Sequence, residues 1–162
     1  MPSSDPAQIL IETNRWANTQ LIEACKQLSD EQFHQEFEMG CGSLSANLVH
    51  IVGAMRGWGD LLAGREQRPR LEESQYSLGE IESLHNEIAD DLEQSAFAHP
   101  LDESVTGERG GRSYTFQRGA VITHVTTHGM HHRAQCLNML RQLGVSPLPL
   151  SAVVEWMLMV DK

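Results

Sequence analysis

Four of the chain's eight histidines lie in HVTTHGMHHRAQ, His124 to Gln135. Imidazole suits zinc, nickel, copper and iron, and two imidazoles at i and i+4 of one helix can reach a single ion. His128 and His132 have that spacing. On a helical wheel of about 100° per residue with Val121 at the origin, the apolar face of this segment centres at roughly 40°. His132 then falls at roughly 20° and His128 at roughly −20°, whereas His124 and His131 fall at roughly −60° and −80°, on the edge of the face. The first pair therefore points inward, and the other two read as neighbours able to replace a ligand. Cys136, one turn beyond His132, could ligate a soft metal, but its spacing reads as a small core residue.

Two histidines make half a site, and the rest must come from another helix. His34 and His99 fall in expected loops, and His85 is expected on the polar side of its helix. His50 lies off the main apolar face of its own helix, on a second stripe of Ser43, Asn47, Ala54, Gly57 and Leu61. Small residues there leave room for an ion and a substrate, which makes His50 a candidate to line a cleft. An interhelical hydrogen-bonding role for His50 stays open on this reading.

The elements that must carry these residues are legible from caps and periodicity. Asp5-Pro6 starts a first helix, since proline at the first helical position loses no needed N–H. Its core stripe includes Ile9, Thr13, Trp16, Ala17 and Leu21. Ser29 and Gln32 have capping-box spacing for a short turn. Met39-Gly40-Cys41-Gly42 is a turn. Ser43 caps a second helix with stripe Leu44, Leu48, Ile51, Val52 and Met55, and Gly64 stops it. Arg65 to Tyr76 is a polar connection. Ser77 and Glu80 open a third helix with stripe Ile81, Leu84, Ile88 and Leu92. Asp102 to Phe116 reads as a short hairpin or loop around Gly110-Gly111. A fourth helix runs from about Phe116 to Leu143, and a short amphipathic C-terminal helix carries Leu150, Val153, Val154, Met157 and Leu158. The expected class is all-α: an antiparallel four-helix bundle in one domain spanning residues 1–162, with a long crossover connection.

Composition narrows the function. The formal net charge is −10, which disfavours a nucleic-acid backbone as partner. No apolar run is long enough to span a membrane. The start MPSSDPAQIL lacks a basic segment followed by an apolar one, and the three cysteines show no CxxC spacing; a cytoplasmic protein with reduced thiols is expected.

Three stretches carry a resemblance to a known family: NRWANTQLIEA, GSLSANLVHIVGAMRGWGDLLAG and THGMHHRAQCLNMLRQLG. In this order they resemble the DinB family (DinB/YfiT-like), which is distinct from the translesion polymerase sharing the name. The last stretch is similar to its His-x-x-x-His-Arg-Gly-Gln signature, with Arg133-Ala134-Gln135 here. The resemblance implies a four-helix bundle, often a homodimer, with a divalent ion, typically zinc or nickel, on His50, His128 and His132. It also implies either of two activities on a small-molecule substrate: S-transfer with a low-molecular-weight thiol, or hydrolysis. Met55 stands where relatives often have an acidic residue, which argues for thiol over water. Three neutral ligands leave the ion its full charge to activate a small nucleophile. Trp58, Tyr114, His124 and Arg133 are candidate pocket residues. The competing expectation is a non-catalytic metal- or small-ligand-binding stress-response module, with His124 or Cys136 filling the last coordination position.

Overall fold

A computed structural model describes residues 3–73 and 76–160, with Arg109 described by its backbone alone. The chain is mostly helical, with one two-stranded sheet. Its order is α1 (Pro6–Cys25), α2 (Asp30–Phe33), α3 (Leu44–Leu62), α4 (Leu78–Ala96), β1 (Ser104–Arg109), β2 (Arg112–Gln117), α5 (Arg118–Gln142) and α6 (Val153–Val160). The expected connection from Arg65 to Tyr76 includes Ser74 and Gln75, which lie outside the described residues.

Local chemistry sets the helix starts. Asp5 Oδ1 accepts from Ala7 N at 2.8 Å, with Pro6 in the first turn. Ser29 with Gln32, and Ser77 with Glu80, form complete capping boxes. Ser43 Oγ accepts from Ala46 N at 3.0 Å at the head of α3. Each cap satisfies amide donors that a helix start otherwise leaves orphaned, an effect of about 1 kcal/mol. Past the end of α3, Gly64 takes φ +66°, the left-handed stop that glycine adopts without steric cost.

Helix α3 packs most extensively on α4 and also on α5, while α1 packs on α5 and α4. Between them lie Leu48, Ile51, Val52 and Met55 of α3, Ile81, Ile88 and Leu92 of α4, Val121, Ile122, Val125, Met139 and Leu140 of α5, and Leu21 and Ile22 of α1, all buried. Burial of each large apolar side chain contributes roughly 1.5–3 kcal/mol before conformational entropy is counted.

Strands β1 and β2 are antiparallel, with Val105 opposite Phe116 and Gly107 opposite Tyr114. Gly110 and Gly111 both have positive φ, as a two-residue type I′ turn requires. The hairpin closes against α3 because Gly107 has no side chain; a Cβ there would lie 2.7 Å from Leu61 Cδ1. The buried Arg118 then anchors the start of α5, donating to Leu62 O at 2.8 Å and to Ser95 O. One guanidinium thus satisfies a carbonyl at the C-terminal end of both α3 and α4.

One sequence expectation is corrected. His85, expected on the polar side of α4, is 1% exposed. Helix α4 packs on α3 and α1, and burial, with the Arg15 and Arg133 guanidiniums nearby, pushes the His85 imidazole pKa down to about 4. The expected amphipathic C-terminal helix is α6; its buried residue is Trp156, and the apolar stripe faces outward, with Val154 at 68% and Leu158 at 70% exposed. The helix docks by its indole and turns its aliphatic residues outward. No helix among the described residues is long and apolar enough to cross a membrane.

Candidate metal centre

The facing surfaces of α3 and α5 bring three imidazoles together. His50 Nε2 and His128 Nε2 are 3.0 Å apart. The His132 ring lies 4.5 Å from that of His50 and 4.6 Å from that of His128, centroid to centroid. His128 and His132 are half-buried at the rim of the core and His50 is exposed, so the cluster sits in a cleft wall rather than at the packed centre.

The orientation of His132 is set by two carboxamides. Its Nδ1 lies 2.8 Å from Gln135 Oε1 and 3.2 Å from Asn47 Oδ1. Both partners are acceptors, so Nδ1 carries the proton and the Nε2 lone pair is free. This is the outer-shell arrangement that orients a ligating histidine. Asn47 is itself buried and donates to Ser43 O at 2.7 Å, which locks the carboxamide to the cap of α3.

All three imidazoles are held neutral. Burial, then the neighbouring His132 and His50, pushes His128 down to about 4. Burial and the Arg70 guanidinium lower His50, and burial and His50 lower His132. Neutral imidazole is the form that ligates. The 3.0 Å approach of His50 Nε2 to His128 Nε2 is an interhelical hydrogen bond, close to the roughly 3.3 Å that separates two nitrogens on one tetrahedral zinc. His128 Nδ1 is buried without a hydrogen-bond partner among the described residues, so its polar capacity is invested at Nε2.

One residue that the sequence reading left in a turn also reaches this point. Cys41, His50 and His132 each offer a ligand atom, all within 4.8 Å of one another, and could hold a metal ion. The thiol is exposed, and burial of its surroundings and the Glu73 carboxylate raise its pKa. The signal for it was weak: Gly40 and Gly42 marked a turn, but nothing in the spacing tied that turn to α5.

The cluster opens into a cavity of about 630 Å³, whose lining includes His50, His128, Trp58, Tyr114, Phe116 and Glu73. Trp58 meets His124 edge to face at 4.8 Å and Phe116 at 6.1 Å, and Tyr114 stacks on Phe116. Trp58, Tyr114 and His124 thus belong to the wall, as expected. Phe116 and Glu108, on the hairpin strands, and Glu73, in the connection after α3, were missed, because nothing in their local pattern ties these segments to the α3–α5 cleft. Glu73 also removes the expectation that no carboxylate serves the site. Met55 bears on neither question; it is buried in the core, where its Sδ accepts from Asn18 Nδ2 at 3.3 Å.

The remaining candidates lie elsewhere. Arg133 turns away from the cavity into the α1–α5 interior, donating to Asn14 Oδ1 at 2.6 Å and Asn18 Oδ1 at 2.8 Å. Gly129 leaves the space for it, since a Cβ there would lie 2.5 Å from Asn14 Oδ1. His131 is exposed beside Gln135 Nε2. Cys136 is fully buried in the core.

The segment over the cleft depends on an ion-pair cluster. Asp60, fully buried near the end of α3, accepts from Arg65 Nη2 at 3.0 Å, Arg68 Nη2 at 2.7 Å and Arg68 N at 3.2 Å. Asp91 of α4 pairs with the same two arginines. Burial alone would raise the Asp60 pKa, but the hydrogen bonds and charge of Arg68, with Arg65, bring it below the usual range. The cluster staples the segment holding Gln67 to Leu71 over the cleft.

The family model described as DinB family matches residues 3–157. The chain is also similar to protein DinB of Bacillus subtilis (strain 168): 28% identical over 159 residues, covering 90% of this chain and 91% of the relative.

Proposed function

This chain belongs to the DinB family, and we propose that it is a metal-dependent enzyme. In this reading His50, His128 and His132 hold a divalent ion, zinc or nickel, that activates a small nucleophile against a small-molecule substrate. The observations that support it are three neutral imidazoles side by side at a cavity mouth, with His50 and His128 nitrogens 3.0 Å apart and ligand atoms of His50 and His132 within 4.8 Å of each other. When bound, the ion supplies Lewis acidity that lowers the pKa of a thiol or water. Gln135 and Asn47 keep the His132 proton on Nδ1. Trp58, Tyr114 and Phe116 offer an apolar wall to the substrate. Glu73 is the cavity carboxylate available to take the nucleophile's proton, so water and a low-molecular-weight thiol are both served by this site.

The ring of contacts from α1 to α5, α3, α4 and back to α1 supports a single-domain antiparallel four-helix bundle. The outward aliphatic face of α6 supports a homodimer. A competing reading, a non-catalytic metal-binding module, gains from Cys41, which offers a further protein ligand. Metal content by mass spectrometry, followed by zinc- or nickel-loaded assays of thiols against electrophiles and of ester hydrolysis, decides between them. His132→Ala is expected to abolish both metal and turnover. Full metal retention in that variant rejects the ligand set, and a metal-replete protein silent in every assay favours the module.

A further inference from the structure

Of the three cysteines, Cys25 and Cys136 are buried in the core, and Cys41 alone stands at the imidazole cluster. The chain holds it there by several independent means. Gly40 and Gly42 take φ +57° and +100°, conformations that side-chain-bearing residues rarely adopt. The turn is closed by Phe37 N donating to Gly42 O at 2.6 Å and Gly42 N to Met39 O at 3.0 Å. Asn47 Oδ1 accepts from Cys41 N at 3.4 Å as well as from His132 Nδ1 at 3.2 Å. One buried carboxamide therefore sets both the thiol-bearing backbone and the imidazole.

Gly40 adds a second constraint. A Cβ at that position would lie 2.5 Å from Gln135 Oε1 and 2.7 Å from Asn47 Oδ1. The turn approaches the two carboxamides behind His132 as closely as glycine permits. A thiolate sulfur and an imidazole nitrogen on one tetrahedral zinc are roughly 3.6 Å apart. The ligand atoms of Cys41, His50 and His132 all lie within 4.8 Å of one another, the same scale as that separation.

We propose that Cys41 is the fourth ligand of the centre: its sulfur closes the site at rest, and a substrate donor reaches the ion by displacing it. The inference rests on the three-histidine reading above. The exchange balances without an oxidant or reductant: an incoming thiol gives up its proton to bind, and the departing Cys41 sulfur takes one up. The arrangement would make the protein's own turn a competitor of small thiols, so that only donors also held by the aromatic wall gain entry.

Cobalt(II) titration followed by absorption tests this, with wild type and Cys41→Ser. Cys41 is exposed, so the variant folds, which circular dichroism checks. Wild type is expected to show d–d bands together with a thiolate-to-cobalt charge-transfer band in the near ultraviolet. Cys41→Ser keeps the d–d bands, loses the charge-transfer band and binds cobalt about tenfold or more weakly. Added 2-mercaptoethanol restores a charge-transfer band in Cys41→Ser at a lower concentration than is needed to alter the wild-type spectrum. A wild-type complex without charge transfer, or a band that survives in Cys41→Ser, overturns the sulfur ligand while leaving the histidine site standing. Equal thiol sensitivity in the two proteins overturns the displacement. No d–d bands in either protein removes the metal reading itself.

Discussion

Replacing Asp60 with asparagine removes one charge and leaves shape almost unchanged. In the native protein this carboxylate has 1% side-chain exposure and lies between two guanidinium groups whose exposures are 44% and 40%. It accepts from Arg65 Nε and Nη2 and from Arg68 N, Nε and Nη2. Asparagine keeps one acceptor oxygen but turns an NH2 group toward these donors. Breaking a fully buried ion pair costs about 3–5 kcal/mol. Here both arginines are partly hydrated and retain Asp91, so the discounted loss is about 2–3 kcal/mol. The cost is expected to fall on the stapled segment as well as on the global fold. Urea unfolding monitored by circular dichroism should show the loss in midpoint, and limited proteolysis should show faster cleavage between Arg65 and Leu71. A pH series adds a signed check. The folded pKa of Asp60 is lowered, so its contribution is complete above the unfolded value near 3.8 and is lost as pH falls below it; the variant should lack that part of the acid limb. An unchanged urea midpoint with unchanged proteolysis would refute the staple, and a loss seen only at low salt and abolished at high salt would refute its burial.

Two further outcomes follow from the same geometry. His85 is buried with a pKa lowered from 6.5 to about 4; the unfolded chain binds its proton first, so stability is complete above about pH 6.5 and falls toward pH 4. His85→Leu should reduce that loss by about 3 kcal/mol in pH-dependent urea unfolding, and parallel pH profiles would contradict the assignment. Gln135→Leu removes the nearer acceptor from His132 Nδ1 and should weaken zinc binding about 10–100-fold in competition with a chelator, with unchanged thermal unfolding of the metal-free protein; unaltered affinity would mean that Asn47 alone orients the ring.

The local rules were legible residue by residue. Ser29, Ser43 and Ser77 cap the helices that follow them, Gly64 stops α3, and the Gly110-Gly111 pair turns the hairpin, because each depends on backbone dihedrals and orphan amides within a few residues. The i, i+4 spacing of His128 and His132 is set in the same way, and so is the small-residue stripe around His50. Reading His85 failed because its exposure is decided by helices far away in sequence.

Pairing across elements needed the tertiary structure. A wheel places His50 off the main face of α3, but only the packing of α3 against α5 makes that second face the wall of a cleft. Cys41 shares no periodicity with any histidine, and its place follows from how closely a glycine turn can approach Asn47 and Gln135. Glu73 comes from a loop, and Glu108 and Phe116 from the hairpin, whose docking against α3 no local repeat specifies. The sequence thus determined the helices and the histidine-bearing face of α5, since both follow from short-range periodicity. The tertiary structure decided what stands opposite that face, since long-range packing brings Cys41, Glu73 and the aromatic wall to the same point.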